Sequence, residues 1–450
     1  MSFSSIEKML ELIGSHIWGW PLIFFILFTG IVLTIAFDFV QFRYFLASWK
    51  YVLFPEKQTG NRENYISPFQ AFVNTLSASI GNGSTAGMAT AMYAGGPGAA
   101  FWILILGIFS MAIRFAEVSA STYFVEKTPQ GTLRGGPMAY LKRVPGGFIL
   151  PSFYATFCLL LSFFSGNAMQ CQSITLGLKK MSGIDTRIIA AVLFAFLLYI
   201  MLGGAQRIIK VSDRIVPIKV GLFFIATLIA LIYHYNMILP ALGIIFKSAF
   251  EPQAIAGALT GYTIQNALRF GLSRTFNATE AGIGTAGVLF GATGSKDSVR
   301  SGIMSMASTF ISNYLVCFLL MLVFVASGVW NSGLTSTPLT IAAYSTVFGN
   351  FGGWLVTFLS ITFGMGVLVA YAYIGRECWM YLTGGKFTFV YIAIYCLMAL
   401  IGSLAQVGLI WHSIDIINAG LLLSNLYGLL VLLPTLRKNL REFRHKKASA

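Results

Sequence analysis

The sequence predicts an all-α membrane protein of about eleven transmembrane helices arranged as two repeats of five behind one extra helix. Three observations carry this prediction. First, 56% of the 450 residues are apolar and only 10% are charged, more apolar surface than a water-soluble domain of this size can bury. Second, apolar runs of about 20 residues, the length that crosses ~30 Å of hydrocarbon as a helix, recur along the chain, and the alternating pattern of a membrane barrel is absent. Third, two runs at matching places in the two halves are broken by glycine: SIGNGSTAG, from Ser79, and RFGLSRTFNATEAGIGTAG, from Arg269.

Taken in order, the first apolar run, 17–38, follows little positive charge and is too long for a signal-peptide core, so it reads as a retained helix. Runs at 67–94, 98–125, 149–176, 186–203 and 214–235 make a first repeat, 67–235. Runs at 254–292, 299–328, 353–382, 387–404 and 412–434 make a second, 254–434, followed by a basic tail, 435–450. No linker or low-complexity stretch divides them, so a single transmembrane domain is expected over 1–450.

Lys and Arg fall mostly in alternate loops: Arg43, Lys50, Lys57 and Arg62; Lys127, Arg134, Lys142 and Arg143; Arg207, Lys210, Arg214 and Lys219; then Lys296, Arg300, Arg376, Lys386 and the tail. The opposite side holds little beyond Lys8, Lys179, Lys180, Arg187 and Lys247. This asymmetry predicts an external N-terminus and a cytoplasmic C-terminus. It also accounts for the net charge of +15 without a nucleic-acid partner, and the tail reads as a topology anchor on anionic lipid. The five cysteines lie inside apolar runs at no metal or redox spacing.

A broken helix inside a bilayer needs a reason, because every freed backbone group must find a partner. At such a break the N–H groups that start a half-helix attract a carboxylate, and the carbonyls that end one attract a cation. Gly81 and Gly83 allow the backbone to unwind and approach a small ligand. Close helix packing through Gly83 and Gly87 is the competing explanation for one such stretch, and two stretches in corresponding places favour a midplane site.

Further motifs extend along nearly the whole chain: SPFQAF at 67, GGPGAAFW at 95, RFAEVSAS at 114, GTLRGGPMAYL at 131, GNAMQ at 166, EAGIGTAG at 280 and YIGRECWMYLTG at 373. In these residues, taken together and in order, the chain resembles the alanine-or-glycine:cation symporter family. The resemblance implies a leucine-transporter-like fold with an extra N-terminal helix, and symport of a small neutral amino acid, alanine or glycine, with a monovalent cation. No cofactor is implied beyond the co-transported Na+ or H+, and the oligomeric state is left open. It places Gly81, Asn82, Gly83, Ser84 and Thr85 at the substrate, with the N–H groups of Asn82 and Gly83 facing its carboxylate. Gln170, Phe276, Asn277 and Tyr371 are the remaining substrate candidates. Ser77, Ile80, Phe363, Gly366 and Val367 mark the cation site.

Two departures from the family pattern stand out. Asn277 replaces a phenylalanine, and Gly366 and Val367 replace two adjacent threonines whose hydroxyls resemble sodium ligands. A hard cation wants several oxygens, and here mostly carbonyls such as those of Ser77 and Ile80 remain, with Ser360 and Thr362 a helical turn away. Sodium and proton coupling both stay open.

Charges at membrane depth cost ~2.5–3.5 kcal/mol on insertion scales and point to function. Arg114 and Glu117, three apart on one helix, are expected to pair near the inner surface. Arg274 and Glu280 flank the second break as a gating or helix-end pair. Asp415 is expected near the hydrated outer interface, and Arg269 is a possible partner for these carboxylates. An intramembrane protease would need a histidine within reach of Ser84 at depth, and none is found, so an enzyme is not expected.

Overall fold

The computed structural model describes residues 3–55, 66–128, 133–202, 204–251, 264–295 and 297–448. The predicted positions Lys57, Arg62, Lys296 and 254–263 lie outside them. The architecture is helical, with one small antiparallel pairing of Glu126–Lys127 with Leu133–Arg134.

The chain opens with α1 (Phe3–Ile17) and α2 (Trp20–Ala36), which meet at 49° where Pro21 starts α2. The expected single span 17–38 is thus the second arm of a bent pair, and the amphipathic first arm carried too many polar residues to register as apolar.

The first repeat begins with α3 (Pro68–Ser79), whose start is fixed by Ser67 and Gln70 bonding each other's backbone N–H, with Pro68 in the first turn. The chain unwinds over 80–85 and resumes as α4 (Ala86–Gly95). Then come α5 (Gly98–Tyr123), α6 (Leu150–Ser182), α7 (Thr186–Leu202) and α8 (Gly204–Tyr233). Helix α6 contains a π-helical segment, Phe164–Ala168.

Helix α9 (Tyr235–Phe250) leaves α8 at 96° and connects the repeats. The second repeat runs through the broken pair α10 (Ile264–Thr279) and α11 (Thr285–Gly291), then α12 (Ser298–Ala326), with a π segment at Ile311–Phe318. It continues with α13 (Ser336–Phe348), α14 (Asn350–Thr383), α15 (Thr388–Leu404) and α16 (Val407–Ala448). Neither α9 nor α13 was expected. The charge-free stretch 329–352 reads as a loop, yet its apolar side chains fold into a short helix whose Leu339, Ile341 and Tyr344 are buried.

Two packing groups result. Helix α5 lies along α12, α10 and α11, while α14 lies along α6, α8 and α13, and α7 pairs with α15. Both breaks face the seam between the groups. All five cysteines are buried and form no disulfide.

Candidate functional site

At the first break Ile80 leaves helical geometry and Gly81 is extended, with φ −129° and ψ −164°. Asn82–Ser84 then form one 3₁₀ turn. Gly81 is required by proximity rather than by its angles, since a Cβ there would lie 2.3 Å from Val367 Cγ2 on α14. Ser84 spans the break by donating to the Ser79 carbonyl at 3.0 Å.

The second break is turned by Glu280, Gly282 and Gly284, all at positive φ, with Gly284 at +99°. A side chain at Gly284 would also strike the Tyr154 hydroxyl, 2.3 Å from an added Cβ. The fully buried pair Arg114 and Glu117, 3.1 Å apart on α5, holds both ends of this break. Arg114 donates to the Thr279 carbonyl that ends α10. Glu117 accepts from the N–H groups of Gly282 at 2.8 Å and Gly287 at 3.3 Å. A cation on the carbonyl end and an anion on the amide end match the half-helix dipoles. The pair is therefore buried in the protein core beside the break.

Arg274 does not pair with Glu280. Its guanidinium grips Asp415 of α16 through two bonds, of 2.6 and 3.3 Å, and lies 4.4 Å from the Trp411 ring centroid. Ser273 adds a 2.6 Å bond to the same carboxylate, and Asp415 is 4% exposed. The expectation of a hydrated Asp415 is thus corrected: α1 and α2 cover the start of α16, with the Trp18 indole on the Asp415 carbonyl at 2.9 Å. Arg269 lies over the Phe270 ring, 5.2 Å from its centroid. Asp415→Asn should lower the thermal midpoint in detergent by the equivalent of about 1.5–3 kcal/mol, the worth of hydrogen bonds to a charged group. An unchanged midpoint would remove this carboxylate from the fold's support.

Glu280 accepts instead from the hydroxyls of Tyr371 and Thr285. The Tyr371 ring packs where Gly166, on the π segment of α6, leaves room, a Cβ there falling 2.3 Å from Tyr371 Cγ. The same π segment presents the Ser165 carbonyl to Gln170 Nε2 at 2.9 Å, which orients Gln170 Oε1 onto the Asn82 N–H at 3.0 Å. Gln170, rather than open space, therefore meets the Asn82 amide. Asn82 is tied further to Ser360 by two bonds, its side-chain amide donating to the carbonyl and accepting from the hydroxyl. Thr85 and Phe276 are buried beside the breaks.

The breaks meet at Gly83, where an added Cβ would lie 3.1 Å from Asn277 Nδ2 and 3.5 Å from Met169 Cε. Asn277 Oδ1 accepts from Ser165 and Asn418 at 3.4 and 3.3 Å. Asn277 Nδ2 and Asn418 Oδ1 are buried without a partner among the described residues. Each such atom costs about 1–3 kcal/mol unless something polar arrives to satisfy it. Asn418 escaped the sequence reading because it lies in the interior of an apolar run, far along the chain from either break.

The cation candidates also come together. Ser77 Oγ donates to the Gly366 carbonyl at 3.0 Å, and Val367 and Phe363 line the same seam. The group among them is the ammonium of Lys219 on α8, which donates to the carbonyls of Ile80 at 2.7 Å and Ser77 at 3.2 Å. It lies 5.6 Å from the Phe363 ring centroid, and Lys219 is 1% exposed. In the sequence it reads as one more topology charge.

Comparison with known proteins follows the same lines. A sodium/alanine symporter of Methanococcus maripaludis is 33% identical over 94% of this chain and 94% of its own length. A probable sodium/glutamine symporter of Bacillus subtilis is 27% identical over 98% of this chain and 92% of its own. A solved Na+-coupled sialic acid symporter shares the fold, with a TM-score of 0.51 at 12% identity over 89% of this chain and 82% of that one. A manganese transporter of Eremococcus coleocola does so at 0.52 and 13%, over 84% and 81%. The fold is leucine-transporter-like. The model of the sodium:alanine symporter family matches residues 3–450, and the chain belongs to that family.

Proposed function

We propose that this cation-coupled amino-acid symporter imports a small neutral amino acid, alanine or glycine first, by alternating access across a prokaryotic plasma membrane. The N-terminus would face outward and the C-terminus the cytoplasm. The observation that carries the reading is the pair of unsatisfied amide atoms, Asn277 Nδ2 and Asn418 Oδ1, buried where the two unwound segments meet beside Gly83. A zwitterion supplies both an acceptor and a donor, and the glycine leaves space for little more than a short side chain. The family is one of transporters, so no bond need be made or broken at this site.

In the proposed cycle, substrate and cation enter from outside and the group of helices around α5 rocks against that around α14. One monovalent charge moving down 100 mV supplies ~2.3 kcal/mol, enough for about fiftyfold accumulation. Asn277, standing where the resemblance places a phenylalanine, favours a second substrate class, amino acids with a short polar side chain.

The test is counterflow in proteoliposomes with a panel of labelled alanine, glycine, serine, asparagine and glutamine. Preloading with the true substrate should accelerate uptake. A rate indifferent to the internal amino acid would indicate a pore, and binding without flux a receptor.

A further inference from the structure

The ammonium of Lys219 stands where a co-transported sodium ion would be held. The half-helix α3 ends at the membrane's midst with carbonyls that no later turn of its own helix receives, and such an end attracts a cation. The Ser77 and Ile80 carbonyls are two of these, and both are taken by Lys219 Nζ. The facing wall, on α14, lacks side-chain oxygens at Gly366 and Val367.

Gly366 explains why they are lacking. A Cβ built there would lie 2.7 Å from Lys219 Nζ and 2.9 Å from Ser77 Oγ, so a threonine at 366 and a lysine at 219 compete for one space. The lysine and the glycine read as a matched exchange: the oxygens that would ligate a free ion have gone, and a tethered cation has come. The aromatic face of Phe363, 5.6 Å from Nζ, completes an environment suited to an ammonium. No carboxylate bonds to Lys219 among the described residues, so its charge is met by helix-end dipoles, as a bound ion's would be.

We propose that the Lys219 ammonium is the permanent cation of this site, that sodium does not bind there, and that amino-acid binding and transport are independent of sodium. The proposal refines the symporter reading above and rests on it only for the identity of the substrate.

Two readouts separate the claims. The first needs no substrate: the thermal midpoint of the purified protein, in sodium chloride against choline chloride at equal ionic strength. It should be the same in both, because only an ion that binds the folded state raises the midpoint. The second is alanine affinity in the same salts, expected to change by less than about twofold, against the ~5–150-fold typical of coupled sites.

The variant Lys219→Ala combined with Gly366→Thr and Val367→Thr should acquire a sodium-dependent midpoint. Sodium stabilisation or sodium-dependent alanine affinity in the unaltered protein would overturn the proposal, and so would a folded triple variant that stays blind to sodium. Should the triple variant fail to fold, the measurements on the unaltered protein still decide. Absence of any amino-acid binding in either salt would instead sink the substrate assignment, leaving the midpoint comparison to judge the cation site alone.

Discussion

Glu117→Ala should destabilise the protein by about 3–5 kcal/mol, the cost of leaving one member of a buried ion pair uncompensated. Three groups lose their partner together. Arg114, 0% exposed, loses its ion-pair partner, and the N–H groups of Gly282 and Gly287 lose their acceptor. No water from the bilayer core can replace it. Glu117→Gln retains an oxygen for one of the N–H groups and should lose less. The measurement is the thermal midpoint in detergent, read alongside the fraction eluting as a single species. A midpoint within a degree of the parent's would mean that the second break holds its shape unaided.

Gly83→Leu should abolish amino-acid binding while leaving the fold intact. Gly83 is buried on the 3₁₀ turn, and a Cβ there already sits 3.1 Å from Asn277 Nδ2. The further carbons of leucine have nowhere to go except the volume between Gly83, Asn277 and Met169. They would fill the place assigned to the substrate and bury the Asn277 amide against hydrocarbon. A loss of at least about a hundredfold in affinity, ~2.7 kcal/mol, is expected. Scintillation proximity binding of labelled alanine checks it, with size exclusion confirming the fold. Parent-like affinity would move the substrate site elsewhere.

The breaks were legible in the sequence because glycine and hydroxyl residues inside apolar runs have few structural uses at membrane depth. The expectation of two repeats rests on the same interruptions, which recur at corresponding places in the sequence. What the breaks bind to was not legible. Arg114 and Glu117 show their i, i+3 spacing in sequence, but that they clasp the two ends of another helix's break depends on how α5 lies along α10 and α11. Asp415 looked hydrated because hydropathy places it near the end of a run, whereas a neighbouring helix pair supplies the cover. Lys219 is the clearest case. Counted in a loop-side cluster with Arg214, it serves the positive-charge rule equally well whether it points to water or inward. Only the fold shows that Nζ reaches Ser77 and Ile80, some 140 residues earlier: their bonds span 142 and 139 positions.

Helix α16 runs for 42 residues, which at the α-helical rise is roughly 60 Å. A hydrocarbon layer of about 30 Å accounts for half of it, so its basic end stands clear as a mast. That mast is stayed on two sides: Asn439 donates to Ser298 at the start of α12, and Arg444 grips Asp38 and the Phe37 carbonyl at the close of α2. With Trp18 fastened to Asp415 near the other end, the bent N-terminal pair is moored to α16 fore and aft. Whatever swing the last helix makes during a cycle, the extra pair must share it as a passenger.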